Sequence, residues 1–257
     1  MATEQVVQLR EVEFAYGSAG AGEGAFALRV PDFSLSRGEA VACVGPSGCG
    51  KTTLLHLVAG VLAPGRGSVR VLGEELGSMA EGRRRELRLR RVGMVFQEFE
   101  LLEYLTAREN VLIASRFTDL DRRELGARAD ALAEAAGVGH LLGRKPRRLS
   151  QGERQRVAVC RALVTRPELV LCDEPTGNLD PETTRRVLDL VLDRARADGA
   201  GVLCVTHNHD LLSRFDRVFD IGARSTAASE RRAGLVGASG VVSGERERGE
   251  LLAEAAS

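Results

Sequence analysis

Gly45-Pro46-Ser47-Gly48-Cys49-Gly50-Lys51-Thr52 constrains this chain more than any other stretch. The apolar run Ala40-Val41-Ala42-Cys43-Val44 precedes it, and the helix-like Leu54-Leu55-His56-Leu57-Val58-Ala59 follows. Strand, glycine loop and helix, with the spacing G-x-x-x-x-G-K-[ST], make a phosphate-binding loop. Glycines let successive backbone N–H groups turn toward one anion, and the next helix points its positive end at the same place. Lys51 can then reach the β- and γ-phosphates of a nucleotide, and the Thr52 hydroxyl can sit on Mg²⁺, with Thr53 completing the cradle. Among the 36 Lys and Arg residues only Lys51 and Lys145 are lysines. An arginine-biased chain thus keeps lysine where a compact ammonium fits and a wide planar fork does not. Cys49 reads either as a reactive thiol or, preferably, as a spacer whose backbone is what counts.

A second constellation is Val170-Leu171-Cys172-Asp173-Glu174, a buried-type strand ending in two carboxylates. Beside a phosphate loop, Asp173 suits the Mg²⁺ shell and Glu174 suits the attacking water. The bland alternative is a capped turn, since Pro175 follows.

Composition narrows the partners. With 36 acidic and 36 basic residues the formal charge is zero, and there is no Trp. Neither a field for nucleic acid or anionic membrane nor an aromatic platform for single strands is expected. The five cysteines contain no C-x-x-C pair, and four lie in or beside apolar runs, which fits a reducing compartment. The polar start Met1-Ala2-Thr3-Glu4-Gln5 carries no secretory leader pattern, and the apolar stretch near Leu54 to Ala63 is too short to span a bilayer.

Along the chain, residues 5–16 alternate as a strand, 17–25 form a glycine-rich loop, and 26–30 resume as strand. Tyr16 stands beside that loop, either to stack on a base or to pack at a strand end. Residues 81–91, EGRRRELRLRR, read as a charged helix face or a site for an anionic partner. Val92-Gly93-Met94-Val95-Phe96 is a buried-type strand, and residues 98 to about 164 read as mostly helical. Short apolar runs at 169–172 and 202–205, separated by helix, call for a parallel sheet covered on both faces. Residues after 222 lose periodicity.

Leu149-Ser150-Gln151-Gly152-Glu153-Arg154-Gln155-Arg156 resembles the signature motif L-S-G-G-[QE] of ATP-binding cassette (ABC) ATPases. The resemblance spans nearly all of residues 5–221. By it, Gln97 matches the Q-loop, Asn178-Leu179-Asp180 the D-loop, His207 the switch histidine and Tyr16 the adenine-stacking aromatic. It is nearest to the cassettes of lipoprotein-release, macrolide-exporter and cell-division type permeases, on Phe96 to Leu102, Leu105-Thr106 and Glu109-Asn110-Val111. There are two departures: Gln151 replaces the first signature glycine, and Glu103 stands where these families often carry proline.

The resemblance implies an α/β fold: a P-loop NTPase core with a mostly parallel sheet, an N-terminal antiparallel β part and an inserted α-helical subdomain. It implies an ATPase domain over 1–223 with a helical insertion over about 98–164, and composition and lost periodicity leave 224–257 as a weakly ordered tail. Catalysis of ATP hydrolysis falls to Glu174, His207 and Gln97, and Mg²⁺ to Thr52, Gln97 and Asp173. Nucleotide contacts fall to Tyr16, Gly45 to Thr53, Ser150, Gln151, Gly152 and Asp180, some from a second copy in a head-to-tail pair with two ATP between. The implied partner is an integral membrane permease, with the chain cytoplasmic and peripheral on the membrane's inner face. A soluble ABC ATPase or switch outside transport is the alternative, and Gln151 admits a cassette that closes on ATP without turnover. Lys51 and Ser150 are about a hundred residues apart, too close for the long coiled coil of chromosome-type relatives.

Overall fold

The computed structural model describes residues 4–16, 27–177 and 179–222. The expected glycine-rich loop at 17–25, Asn178 and the tail at 224–257 lie outside the described residues. Strands β1 (Gln5–Ala15) and β2 (Ala27–Ser36) pair antiparallel. After β3 (Ala40–Val44) and α1 (Lys51–Val58), the chain returns as β4 (Arg66–Val71) on the other side of β1, and β5 (Glu74–Glu75) closes an antiparallel sheet of order β2-β1-β4-β5. Alternation makes this possible: Val7, Leu9, Val69 and Val71 are buried while Gln8 and Arg70 turn outward.

Helix α2 (Glu81–Arg91) leads into β6 (Val92–Val95). Strands β7 (Leu169–Asp173), β8 (Gly201–Val205) and β9 (Arg217–Asp220) join β3 and β6 in a wholly parallel sheet, order β6-β7-β8-β3-β9. Both faces of this sheet are covered. Ala40 and Ala42 face one apolar core and Val41 and Cys43 the other, which is why these strands are unbroken apolar runs. All five cysteines are buried and free, and burial pushes the Cys43 and Cys160 thiols up to about 12. Arg83, Arg84, Arg88, Arg90 and Arg91 of α2 are engaged within the chain. Arg84 and Arg88 both pair with Glu81, and Arg91 grips Glu168 through two nitrogens at 2.5 and 3.1 Å.

The stretch 98–164 is mostly helical, as its pattern predicts. It holds α3 (Ala107–Val111), α4 (Arg122–Ala135) and α5 (Gln151–Leu163), joined by single-turn and extended segments. A side chain accounts for the first interruption. Asn110, buried, accepts from the Leu102 N–H at 2.7 Å and donates to the Leu102 and Thr106 carbonyls, so both ends of 102–106 are tied down without a helix. Capping boxes then start α3 at Thr106-Glu109 and α5 at Ser150-Glu153. Helix α6 (Pro181–Asp198) starts on Asp180 and ends at Gly199.

Helix α5 is held to the sheet by a close approach at Gly93 in β6, where a Cβ would run into the Ala162 carbonyl and stand 3.0 Å from Pro167 Cγ. The contact fixes α5 against the strand that leads to Gln97. Gly93→Ala is expected to destabilise the fold by about 1–3 kcal/mol, as overpacking does. Urea unfolding checks this, and an unchanged midpoint would contradict it.

Candidate nucleotide site

The loop between β3 and α1 has the backbone its sequence requires. Gly45 and Gly50 take φ of 150° and 102°, which side-chain-bearing residues rarely adopt, and Gly50 is the N-cap of α1 without any side-chain cap. The first N–H groups of α1 are therefore left for a ligand. Lys51 Nζ donates to the Gly45 and Pro46 carbonyls at 2.8 and 2.9 Å, which pins the ammonium over the loop. Tyr16, Ser47, Gly48, Lys51, Thr52 and Glu174 are among the residues around a cavity of about 340 Å³. Tyr16 is 49% exposed, stands edge-on to Phe14, and has its hydroxyl 3.3 Å from Thr53 Oγ1.

The carboxylates arrive from β7. Thr52 Oγ1 donates to Asp173 Oδ1 at 3.4 Å, so a hydroxyl and a carboxylate oxygen stand side by side. Burial pushes the Asp173 carboxyl above the ordinary aspartate range; the Thr52 hydrogen bond opposes this and the Glu174 charge adds to it. Glu174 takes a φ of 45°, an uncommon conformation for such a residue, and donates its N–H to the Val205 carbonyl at 3.1 Å. Its Oε2 lies 3.2 Å from His207 Nδ1, which β8 delivers. A Cβ on Gly177 would stand 3.7 Å from both Glu174 Oε2 and Gln97 Nε2, so the Gln97 amide flanks the same turn. Glu174 and His207 also line a second cavity, of about 210 Å³.

Residues 28–177 match the family described as ABC transporter. This chain belongs to that family. It is 44% identical over 187 residues, 73% of this chain and 83% of the relative, to the lipoprotein-releasing system ATP-binding protein LolD 1 of Rhodospirillum rubrum. Identity is 45% over 190 residues, 74% and 80% of the two chains, to LolD of Xanthomonas campestris pv. campestris. Among solved structures, the ATP-binding cassette MJ0796, dimeric and bound to ADP and Pi in a post-hydrolysis state, shares 30% identity at a TM-score of 0.75, covering 83% of this chain and 93% of its own. The chain is the ATP-hydrolysing subunit of a membrane ABC transport complex, and none of these relatives supports a soluble switch.

In this ABC ATPase the signature residues Ser150, Gln151 and Gly152 line neither of the two cavities. Gln151 is exposed at the first turn of α5, and Gly152 packs on α6, where a Cβ would stand 3.0 Å from Thr183 Cγ2. Asp180 accepts from the Glu182 and Thr183 N–H groups as the cap of α6. Cys49 is buried beneath the loop, and Glu103 pairs with Arg147 at 3.4 Å. Sequence reasoning missed Thr206 and Asn208 beside His207, whose signal was their adjacency to it. Ile221 and Gly222, which carry no motif, pack against Gly45 and Pro46. Another cavity, about 610 Å³ between the end of α4 and α6, holds none of these groups.

The donors fit Mg²⁺ brought with a nucleotide. Among the described residues no cluster of three His, Cys, Asp or Glu could hold a metal alone. Thr52 and Asp173 offer hard oxygens to an ion whose other ligands are phosphate and water. Because the folded pKa of Asp173 is raised, ionising it costs stability, and that cost grows as pH rises through the folded value. Asp173→Asn is therefore expected to melt about 2–4 °C higher than the parent at pH 7 without ligand. The gap should shrink as pH falls and the parent carboxyl takes up its proton, and reverse in Mg-ATP. A lower melting point for the ligand-free variant at pH 7 would contradict it.

Proposed function

We propose that this cassette hydrolyses Mg-ATP as a head-to-tail pair of identical chains and hands the motion of the pair to an integral membrane partner. The observation that carries the reading is the convergence of Lys51, Thr52, Asp173, Glu174, Gln97 and His207 around one loop. Loop N–H groups and Lys51 hold the phosphates, and Tyr16 stacks on the adenine. Thr52, Asp173 and Gln97 would hold Mg²⁺, which when bound would offset phosphate charge. Glu174 orients and deprotonates the attacking water, and His207 steadies Glu174 and the γ-phosphate from the other side. Ser150, Gln151 and Gly152, lying outside both cavities, serve the nucleotide held by the second copy, with Asp180 at the boundary. MJ0796, dimeric with ADP and Pi, supports that arrangement.

No helix among the described residues is long and apolar enough to cross a membrane. The moving part that spans the bilayer is a separate subunit, and this chain sits on the cytoplasmic face where ATP is supplied. Leu102 and Tyr104, 36% and 70% exposed just beyond Gln97, offer the apolar contact for that subunit. Likeness to LolD supports a permease of the lipoprotein-releasing kind. The balanced charge supports no role for nucleic acid. Glu174→Gln is expected to lower kcat about 10²–10⁴-fold while ATP binding persists. Phosphate release and ATP titration check it, and a variant as fast as the parent would remove Glu174 from this role.

A further inference from the structure

The outer flank of the nucleotide loop is backed by the end of the last strand. Strand β9 runs beside β3 as far as Val44, paired with Asp220, and Ile221 then donates its N–H to the Val44 carbonyl at 3.0 Å. Pairing thus continues to the first residue of the loop. Ile221 is fully buried there. A Cβ on Gly45 would stand 3.0 Å from Ile221 Cγ2 and 3.3 Å from the Gly222 nitrogen, so the loop's first residue rests on this segment.

Gly222 is the more telling residue. Its φ lies outside the left-handed region, so its backbone makes no demand for glycine. A Cβ there would nonetheless stand 2.9 Å from Pro46 Cδ, with Asp220 Oδ1 at 3.3 Å. Pro46 cannot yield as a long side chain would, because its ring is bonded into the loop backbone. The turn is itself fixed, since Asp220 Oδ1 accepts the Gly222 N–H at 2.8 Å. On the inner side, the Gly45 and Pro46 carbonyls hold Lys51. Residues 45 and 46 are therefore clamped between Ile221-Gly222 outside and the lysine inside.

We propose that Ile221 and Gly222 are positioning residues for the nucleotide, a backstop that sets the height of Gly45-Pro46 and so the aim of Lys51 and the loop N–H groups. The proposal rests on residues 45–53 being the nucleotide loop. A side chain at 222 pushes Pro46 inward, and the displaced carbonyls carry Lys51 with them. Ground and transition states lose the same contacts, so KM for ATP rises while kcat holds.

The test compares Gly222→Ala and Gly222→Val with the parent in the full chain, with Lys51→Ala as the check on the loop. Gly143→Ala serves as control, since a Cβ there meets nothing within 4 Å. KM for ATP should rise about 3-fold for Gly222→Ala and about 10-fold for Gly222→Val, with kcat within about 2-fold. Melting temperatures should stay within about 3 °C of the parent, as for other surface substitutions. Gly143→Ala should match the parent throughout. If Lys51→Ala loses ATP while Gly222→Val keeps the parent KM, the backstop is overturned. A KM rise accompanied by a large fall in melting temperature would overturn it too, as general loosening. If Lys51→Ala keeps the parent KM, it is the loop reading that fails.

Discussion

A parallel sheet places the same end of every strand on one rim, and the site depends on that constraint. Neighbouring strands lie about 4.8 Å apart. In the order β6-β7-β8-β3-β9, the segments that follow Val95, Asp173, Val205, Val44 and Asp220 all emerge together. Gln97, Glu174, His207 and the phosphate loop come from distant parts of the chain, yet each leaves its strand within a residue or two of the rim. Ligands of open α/β sheets gather beyond the carboxyl ends of the strands for this reason. The helices on both faces and the unbroken apolar runs are what keep such a sheet dry.

The rim concentrates groups that do not favour each other without ligand. Asp173 is partly desolvated beside Glu174, and Glu174 holds a backbone conformation uncommon for its type. Both costs are tolerated because the surrounding fold over-determines them. Lys51 is tethered to the loop's own carbonyls, which restricts its side chain without any ligand.

What could be read in the sequence was local. The loop at 45–52 and the Asp173-Glu174 strand end are short patterns whose spacing is itself the chemistry, and a family resemblance added Tyr16, Gln97 and His207. The helical character expected over 98–164 is there in outline. The helix-like spacing of Leu101, Leu102 and Leu105 did not reveal that Asn110 would tie the backbone at Leu102 and Thr106 ahead of the first helix. Charge counting over 81–91 could not show that Arg91 reaches Glu168, far along the chain. Strand β9 is four residues on a sheet edge with Val218 exposed, too short and too irregular to carry a period. The reason for glycine at 222 is contact with Pro46, a long-range steric fact that no local pattern encodes.

The central claim is that two copies close over two nucleotides, each completing the other's site with Ser150, Gln151 and Gly152. The most direct measurement is the solution mass of the purified Glu174→Gln chain by light scattering, with and without saturating Mg-ATP. The account predicts one copy without nucleotide and two with it, the pair vanishing when Ser150 is also changed to Arg. A mass that stays at one copy in Mg-ATP, under conditions where ATP is bound, would contradict it.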